Sequence, residues 1–110
     1  MATIKLTDPE NNKEYTLGFS KKTVKEMARN GFNISKAVDN YVIGIPDLFA
    51  GAFLRYHRGI KQNLVDELWE MIPNKADLTE KLVEMFNEQL DELFGDPEDD
   101  AKKVTWEEVQ

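Results

Sequence analysis

Apolar and polar residues alternate along two short segments near the start of the chain, residues 3–7 and 14–19. A period of two places every second side chain on one face, as in a β-strand. The link between the segments, DPENNK, is rich in residues that favour turns, so the pattern predicts a β-hairpin over residues 3–19. Because a two-stranded ribbon is only marginally stable alone, we expect its apolar face to pack on helices or to extend the sheet of another chain. The residues of that face are Ile4, Leu6, Tyr15, Leu17 and Phe19.

Beyond the hairpin, apolar residues recur every three or four positions, and this spacing predicts about four amphipathic helices. Ser20 suits the N-cap of the first helix, and Gly31 suits a left-handed residue at its C-terminal end. Asn74, with Asp77 three residues later, suits the cap of the last helix. The predicted helices span about residues 21–30, 46–58, 61–72 and 75–94.

The segment before the second predicted helix is ambiguous, because residues 32–44 fit a short helix after Ser35 followed by an extended apolar stretch. Pro46 suits the first turn of the second helix. Gly51 lies inside that helix, where glycine costs about 0.8–1 kcal/mol of stability relative to alanine. A glycine at this position is therefore best explained by the close approach of another backbone. The approaching backbone belongs either to this chain or to a partner. We therefore expect residues 45–59 to be core on one side and interface on the other.

Together these elements predict an α+β fold that is mostly α, in which an N-terminal β-hairpin packs on about four amphipathic helices. Residues 1–95 are expected to form a single globular domain, which suits a chain of 110 residues. Residues 96–110 hold too little apolar surface to offset the entropy of ordering, so we expect a flexible acidic tail. Within it, Val104, Trp106 and Val109 are the large apolar side chains that offer a means of docking.

The charge of the chain is unevenly distributed. Residues 1–63 contain 10 basic and 6 acidic residues, a balance of +4, whereas residues 64–110 contain 4 and 15, a balance of −11. This asymmetry fits either a solvated acidic face or an acidic end that meets the basic end of a neighbouring subunit or a basic partner. Nucleic acid is not expected to bind, because its phosphates repel so acidic a surface.

The sequence offers no constellation of reactive residues. The chain has no cysteine, its one histidine is His57, and it lacks a glycine-rich phosphate-binding loop. We therefore expect no enzyme activity, no cofactor and no metal. The N-terminal residues lack the pattern of a secretory signal, and no apolar run approaches the ~18 residues that a membrane span requires. These features predict a soluble protein of the cytosol.

Three segments resemble one family of viral proteins. They are MATIKLTDPENNKEYTLGFSKKTVKEMARNGF (1–32), IPDLFAGAFLRYHR (45–58) and WEMIPNKADLTEKLVEMFNEQLDELF (69–94). Over about residues 1–95 the chain resembles the tail assembly chaperones of long-tailed (siphovirus-type) bacteriophages and prophages. The resemblance implies a non-enzymatic protein of the host bacterial cytoplasm that keeps the tape measure protein soluble during assembly of the tail tube. It also implies the major tail protein as a further partner, and absence from the mature virion.

A long helical client presents apolar stripes, which a groove between amphipathic helices can receive. Two alternatives remain open: a structural tail-completion or connector component of the virion, and an acidic inhibitor that mimics nucleic acid. The charge asymmetry further suggests a homo-oligomer in which subunits stack head to tail. The residues predicted to form the client-binding groove are Phe49, Phe53, Tyr56, Leu64, Leu68 and Trp69.

Overall fold

The computed structural model of the protein describes residues 2–95 and 103–109. In this part of the chain an antiparallel two-stranded hairpin precedes five helices, which confirms the predicted mostly α fold with a small β part. Of the predicted tail, residues 96–102 and 110 lie outside the described residues, and residues 103–109 form neither helix nor strand. The elements are β1 (Ile4–Thr7), β2 (Glu14–Leu17), α1 (Lys21–Arg29), α2 (Ile34–Asp39), α3 (Tyr41–Gly51), α4 (Gln62–Glu70) and α5 (Lys75–Leu93).

The hairpin is held to the helices along the outer edge of β2. The backbone N–H of Gly18 donates to the carbonyl oxygen of Ala52 at 3.0 Å. The backbone N–H of Thr16 donates to Nε2 of His57 at 2.9 Å. Because both donors would otherwise be left without partners, the segment that follows α3 completes the hydrogen bonding of β2. This attachment explains how a ribbon of two strands is stable in this fold.

His57 contributes both this hydrogen bond and ring packing, since its ring contacts those of Tyr15 and Phe53 edge-on. We expect His57→Ala to lower the free energy of unfolding by about 1–3 kcal/mol, because the N–H of Thr16 loses its acceptor. His57→Gln keeps an acceptor on a side chain of comparable length, and should recover part of that loss. Denaturant unfolding of the three proteins measures both effects. An alanine variant as stable as the parent would contradict this role of His57.

Two of the three predicted helix-terminal residues behave as expected. Oγ of Ser20 accepts a hydrogen bond from the N–H of Thr23 at 3.1 Å, and Oγ1 of Thr23 accepts one from the N–H of Ser20 at 2.9 Å, which forms a capping box. Gly31 has a φ of 96°, the left-handed conformation predicted for it. Asn74 occupies the N-cap position of α5, as predicted, but its side chain makes no capping hydrogen bond. Its φ of 53° turns the chain sharply between α4 and α5.

The second predicted helix is displaced toward the N-terminus, since α3 spans Tyr41–Gly51 rather than residues 46–58. In a continuing α-helix the carbonyl oxygen of Ala52 would accept from the N–H of Tyr56. That oxygen instead accepts from Gly18 of the hairpin, and the chain beyond α3 continues in tight turns. Docking of the hairpin therefore accounts for the early end of this helix.

The N-terminal part of α3 packs closely against α2. A Cβ added to Gly44 would overlap the Cα of Ala37 and would lie 2.8 Å from its carbonyl oxygen. Only glycine allows the two backbones to approach so closely. The expectation of an extended stretch at residues 41–45 is therefore wrong, and Pro46 lies inside the helix rather than in its first turn.

A single core joins the hairpin to the helices. Aromatic rings meet edge-on within it, with ring centroids 5.4 Å apart for Phe19 and Phe86 and 5.2 Å apart for Phe49 and Phe53. Edge-on pairs of this kind add to the stabilisation that burial provides. The buried apolar residues of this core are Tyr15, Leu17, Phe19, Val24, Met27, Ile45, Leu48, Phe49, Ala52, Phe53, Val65, Leu68, Leu82, Met85 and Phe86.

An ion pair at the surface links α1 to the segment after α3. Nη1 of Arg58 donates to Oε2 of Glu26 at 2.6 Å, and this hydrogen bond lowers the pKa of Glu26 below its ordinary value. Because the folded-state pKa is the lower one, the contact stabilises the fold above the ordinary pKa of glutamate. Its contribution is lost as the pH falls through the folded-state pKa. The contact is exposed, so we expect a small effect on stability.

We expect Arg58→Gln to raise the pKa of Glu26 toward its ordinary value, because the charged donor is removed. An NMR titration of the Glu26 carboxyl group measures this directly. The parent protein, titrated under the same conditions, is the reference. An unchanged pKa of Glu26 in the variant would contradict the assignment.

Candidate partner-binding groove

Three of the six residues predicted to bind a partner are buried in the core. Phe49, Phe53 and Leu68 are exposed by 0%, 1% and 2% of their surface. They are packed among the hairpin, α3, α4 and α5, so a partner cannot reach them while the domain stays folded. The face of α3 that carries Phe49 is therefore the core side of the helix, and Phe53 joins the same core from the segment after α3.

The other three predicted residues lie at different places. Leu64 and Trp69 are partly buried against the core, and the ring of Trp69 lies 5.1 Å from that of Phe49. Tyr56 is 45% exposed, and the guanidinium of Arg55 lies 5.0 Å from its ring centroid. Of the six residues, Trp69 alone lines the apolar groove described below.

The first turn of α3 is apolar and yet exposed. Tyr41, Val42 and Ile43 expose 68%, 71% and 63% of their surface. The helix is apolar apart from Asp47, and its contact with the core begins at Ile45 and includes Leu48 and Phe49. The residues before Ile45 therefore expose apolar side chains to water, which solvates them poorly. A cluster of this kind on a folded domain marks a candidate site for a partner.

This exposed turn forms one wall of a groove of about 570 Å³. The floor and opposite wall come from the end of α4 and the first two turns of α5. The lining is chiefly apolar, so apolar side chains that enter the groove would remove both their own surface and that of the lining from water. The lining residues are Tyr41, Val42, Ile45, Pro46, Trp69, Lys75, Ala76, Thr79 and Glu80.

The groove has a fixed positive charge at one end. Nζ of Lys75 donates to the carbonyl oxygens of Ile72 and Glu70 at 2.8 and 3.3 Å, so it satisfies acceptors at the C-terminal end of α4. The same ammonium lies 5.7 Å from the ring centroid of Trp69. Glu80, which follows further along α5, supplies a negative charge. The groove is therefore polarised along the axis of α5.

Pro46 adds a backbone feature to the α3 wall. Proline has no N–H, so Pro46 cannot donate to the carbonyl of Val42, its partner four residues earlier in a regular α-helix. Val42 and Pro46 both line the groove. The wall therefore combines apolar side chains with a turn of helix that lacks one backbone hydrogen bond.

Within residues 2–95 and 103–109, no group of three or more histidine, cysteine, aspartate or glutamate side chains is arranged to hold a metal ion. In the same residues, no helix has both the length and the apolarity to cross a membrane.

The sequence was also compared with known proteins. A family model described as "Domain of unknown function (DUF5055)" matches residues 1–109. The chain belongs to this family. No curated protein and no solved structure matches the DUF5055 chain.

Sequence reasoning missed most of the lining of the groove in this DUF5055 protein. One signal was available, because Tyr41, Val42 and Ile43 are three successive apolar residues that cannot share one face of a helix. If that stretch is helical, part of it must face away from the core. Ala76 and Thr79, on α5, carried no such signal because small residues occur on any face of a helix.

Proposed function

We propose that this DUF5055 protein is a tail assembly chaperone, which binds the tape measure protein of a long-tailed phage and keeps it soluble while the tail tube assembles. The observation that carries the proposal is the exposed apolar groove between α3 and α5. In this proposal, the groove is where the client implied by the sequence resemblance binds. In this proposal the protein acts without catalysis in the host bacterial cytoplasm, and it is absent from the mature virion.

The shape and chemistry of the groove suit a helical client. An amphipathic helix presents apolar side chains at intervals of three and four residues, and these side chains enter a groove between helices. Tyr41, Val42 and Pro46 offer apolar contacts from one wall, and Ala76 leaves room beside them on the other. A lining with few polar groups places few demands on the client sequence, which suits a long and varied client.

The proposal is tested by co-expression with the tape measure protein encoded by the same phage. We expect the parent protein to keep the tape measure protein soluble and to co-purify with it. Val42→Glu should reduce the co-purified client by about tenfold or more, because burial of a valine contributes about 1.5–3 kcal/mol and a buried charge opposes binding. The assay quantifies the client in the soluble fraction and in the purified complex.

Val38→Glu is the matched control for this experiment. Val38 is also an exposed valine, with 53% of its surface accessible, but it lies on α2 and outside the groove. Both variants should remain folded by circular dichroism, because both positions are exposed. Loss of client with Val38→Glu but not with Val42→Glu would contradict the groove. Recovery of the parent protein from purified virions would instead support a structural role in the tail.

A further inference from the structure

We infer that the groove between α3 and α5 is also the docking site for the chain's own C-terminal segment, with Trp106 seated in it. The segment is residues 103–109, KVTWEEV, in which Val104, Trp106 and Val109 are exposed by 88%, 87% and 86%. The inference shares its groove with the proposed function, and its effect on client binding rests on that function.

The C-terminal segment and the groove both expose apolar surface in the same molecule. Three large apolar side chains in seven residues are left in water at one place, and an apolar groove is left in water at another. Full burial of one such side chain contributes about 1.5–3 kcal/mol. The conformational entropy of ordering a short segment opposes docking with a similar magnitude. Docking is therefore expected to be reversible, which leaves the groove open to a competing ligand.

The C-terminal segment is long enough to reach the groove of its own molecule. The groove lies beside the first turns of α5, and the segment begins beyond the last turn. From Thr79 to Gly95 an α-helix rises about 24 Å. The 11 residue steps from Gly95 to Trp106 span up to about 36–40 Å when extended. The tail can therefore fold back along α5 and place Trp106 in the groove of its own molecule.

The charges of the C-terminal segment also favour one orientation in the groove. A tail that folds back runs antiparallel to α5, so its earlier residues lie nearer Glu80 and its later residues lie nearer Lys75. The later residues of the segment include Glu107 and Glu108, whose carboxylates would therefore lie toward the ammonium group of Lys75. The N-terminal end of α5, where Lys75 lies, also favours a carboxylate through the helix dipole.

A tether of this length favours the chain's own groove over that of a second molecule, because it gives a local concentration on the order of millimolar. The docked tail would then occupy the groove in place of client, and client would bind by displacing the tail. The apparent dissociation constant for client is the intrinsic constant divided by the fraction of molecules whose groove is free, so it rises as the tail occupies more grooves.

Spin labelling tests the inference without any client. The chain has no cysteine, so Gln110→Cys carries a single nitroxide next to the segment. We expect the label to broaden the backbone amide NMR signals of Val42, Ala76 and Thr79. Trp106→Ser should remove that broadening, and Thr105→Ala, which keeps the tryptophan, should preserve it. Both positions are exposed, so neither change is expected to disturb the fold.

Mixed samples distinguish the two sources of a docked tail. Isotope-labelled protein without nitroxide is mixed with unlabelled protein that carries it, so that broadening reports a tail from a second molecule. Broadening in the singly prepared protein and none in the mixture supports docking within one chain. Broadening in the mixture, broadening that survives Trp106→Ser, or no broadening at all would each overturn the inference.

Client binding then separates this inference from the proposed function. With the tape measure protein as probe, Trp106→Ser should tighten binding by about two- to tenfold, because the groove loses its internal competitor. If the NMR result holds while the parent protein fails to bind client, the proposed function fails and tail docking stands. If client is bound but the nitroxide broadens nothing in the groove, the proposed function stands and tail docking fails.

Discussion

Phe53→Ala is expected to lower the free energy of unfolding by about 3–5 kcal/mol, a large part of the stability of a domain of this size. Phe53 is 1% exposed, and its ring contacts those of Tyr15, Phe49 and His57. Truncation removes these contacts and leaves a cavity between the hairpin and α3. Denaturant unfolding followed by circular dichroism measures the loss, with the midpoint and the slope fitted separately.

Tyr41→Ala is the matched control, because it also truncates an aromatic residue, in this case on the exposed first turn of α3. Tyr41 is 68% exposed, so we expect its loss to change stability by less than about 0.5 kcal/mol. A Phe53 variant as stable as the Tyr41 variant would show that Phe53 is not part of the core. The pair also separates stability from binding, because Tyr41 lines the groove and Phe53 does not.

Gly44→Ala is expected to cost about 3 kcal/mol, even though alanine favours helix more than glycine does. The added methyl group would overlap the Cα of Ala37, and backbone atoms cannot move aside as a side chain can. The helices α2 and α3 would have to separate, which is the overpacking penalty at its upper end. Thermal or denaturant unfolding of the variant measures the effect.

Gly51→Ala provides the comparison for Gly44→Ala. A Cβ at Gly51 would meet the side chain of Met27, with Sδ at 2.6 Å, and the end of that flexible side chain can shift. The gain of about 0.8–1 kcal/mol in helix propensity offsets part of the cost. We therefore expect Gly51→Ala to be much less destabilising than Gly44→Ala. The reverse order would contradict the backbone contact between α2 and α3.

The sequence predicted the elements whose causes are local. The alternation of Ile4 and Leu6, the capping box that begins at Ser20 and the stripe along α5 each depend on residues close together in the chain, and the structure confirms the hairpin and the helices there. The end of α3 depends instead on a hydrogen bond from Gly18, which is distant in sequence. No pattern within residues 46–58 contains that information.

The candidate site was harder to predict than the fold. Because Asp47 is the one charged residue among the 11 of α3, the spacing of its apolar residues does not distinguish the core side from the exposed side. Phe49 and Phe53 suggested an interface by their size, whereas large aromatic residues are also the strongest contributors to a core. The close approach expected at Gly51 occurs at Gly44, and the neighbour of Gly51 is a methionine side chain rather than a backbone.

The attachment of β2 also determines how the sheet can grow. Along its outer edge, the N–H groups of Thr16 and Gly18 are already bonded to the segment after α3. In the described residues, no strand pairs with the outer edge of β1. A sheet with a single open edge can accept one further strand there, but it cannot serve as a two-sided template. Edge-to-edge association of copies therefore ends at a pair and does not propagate into a fibril.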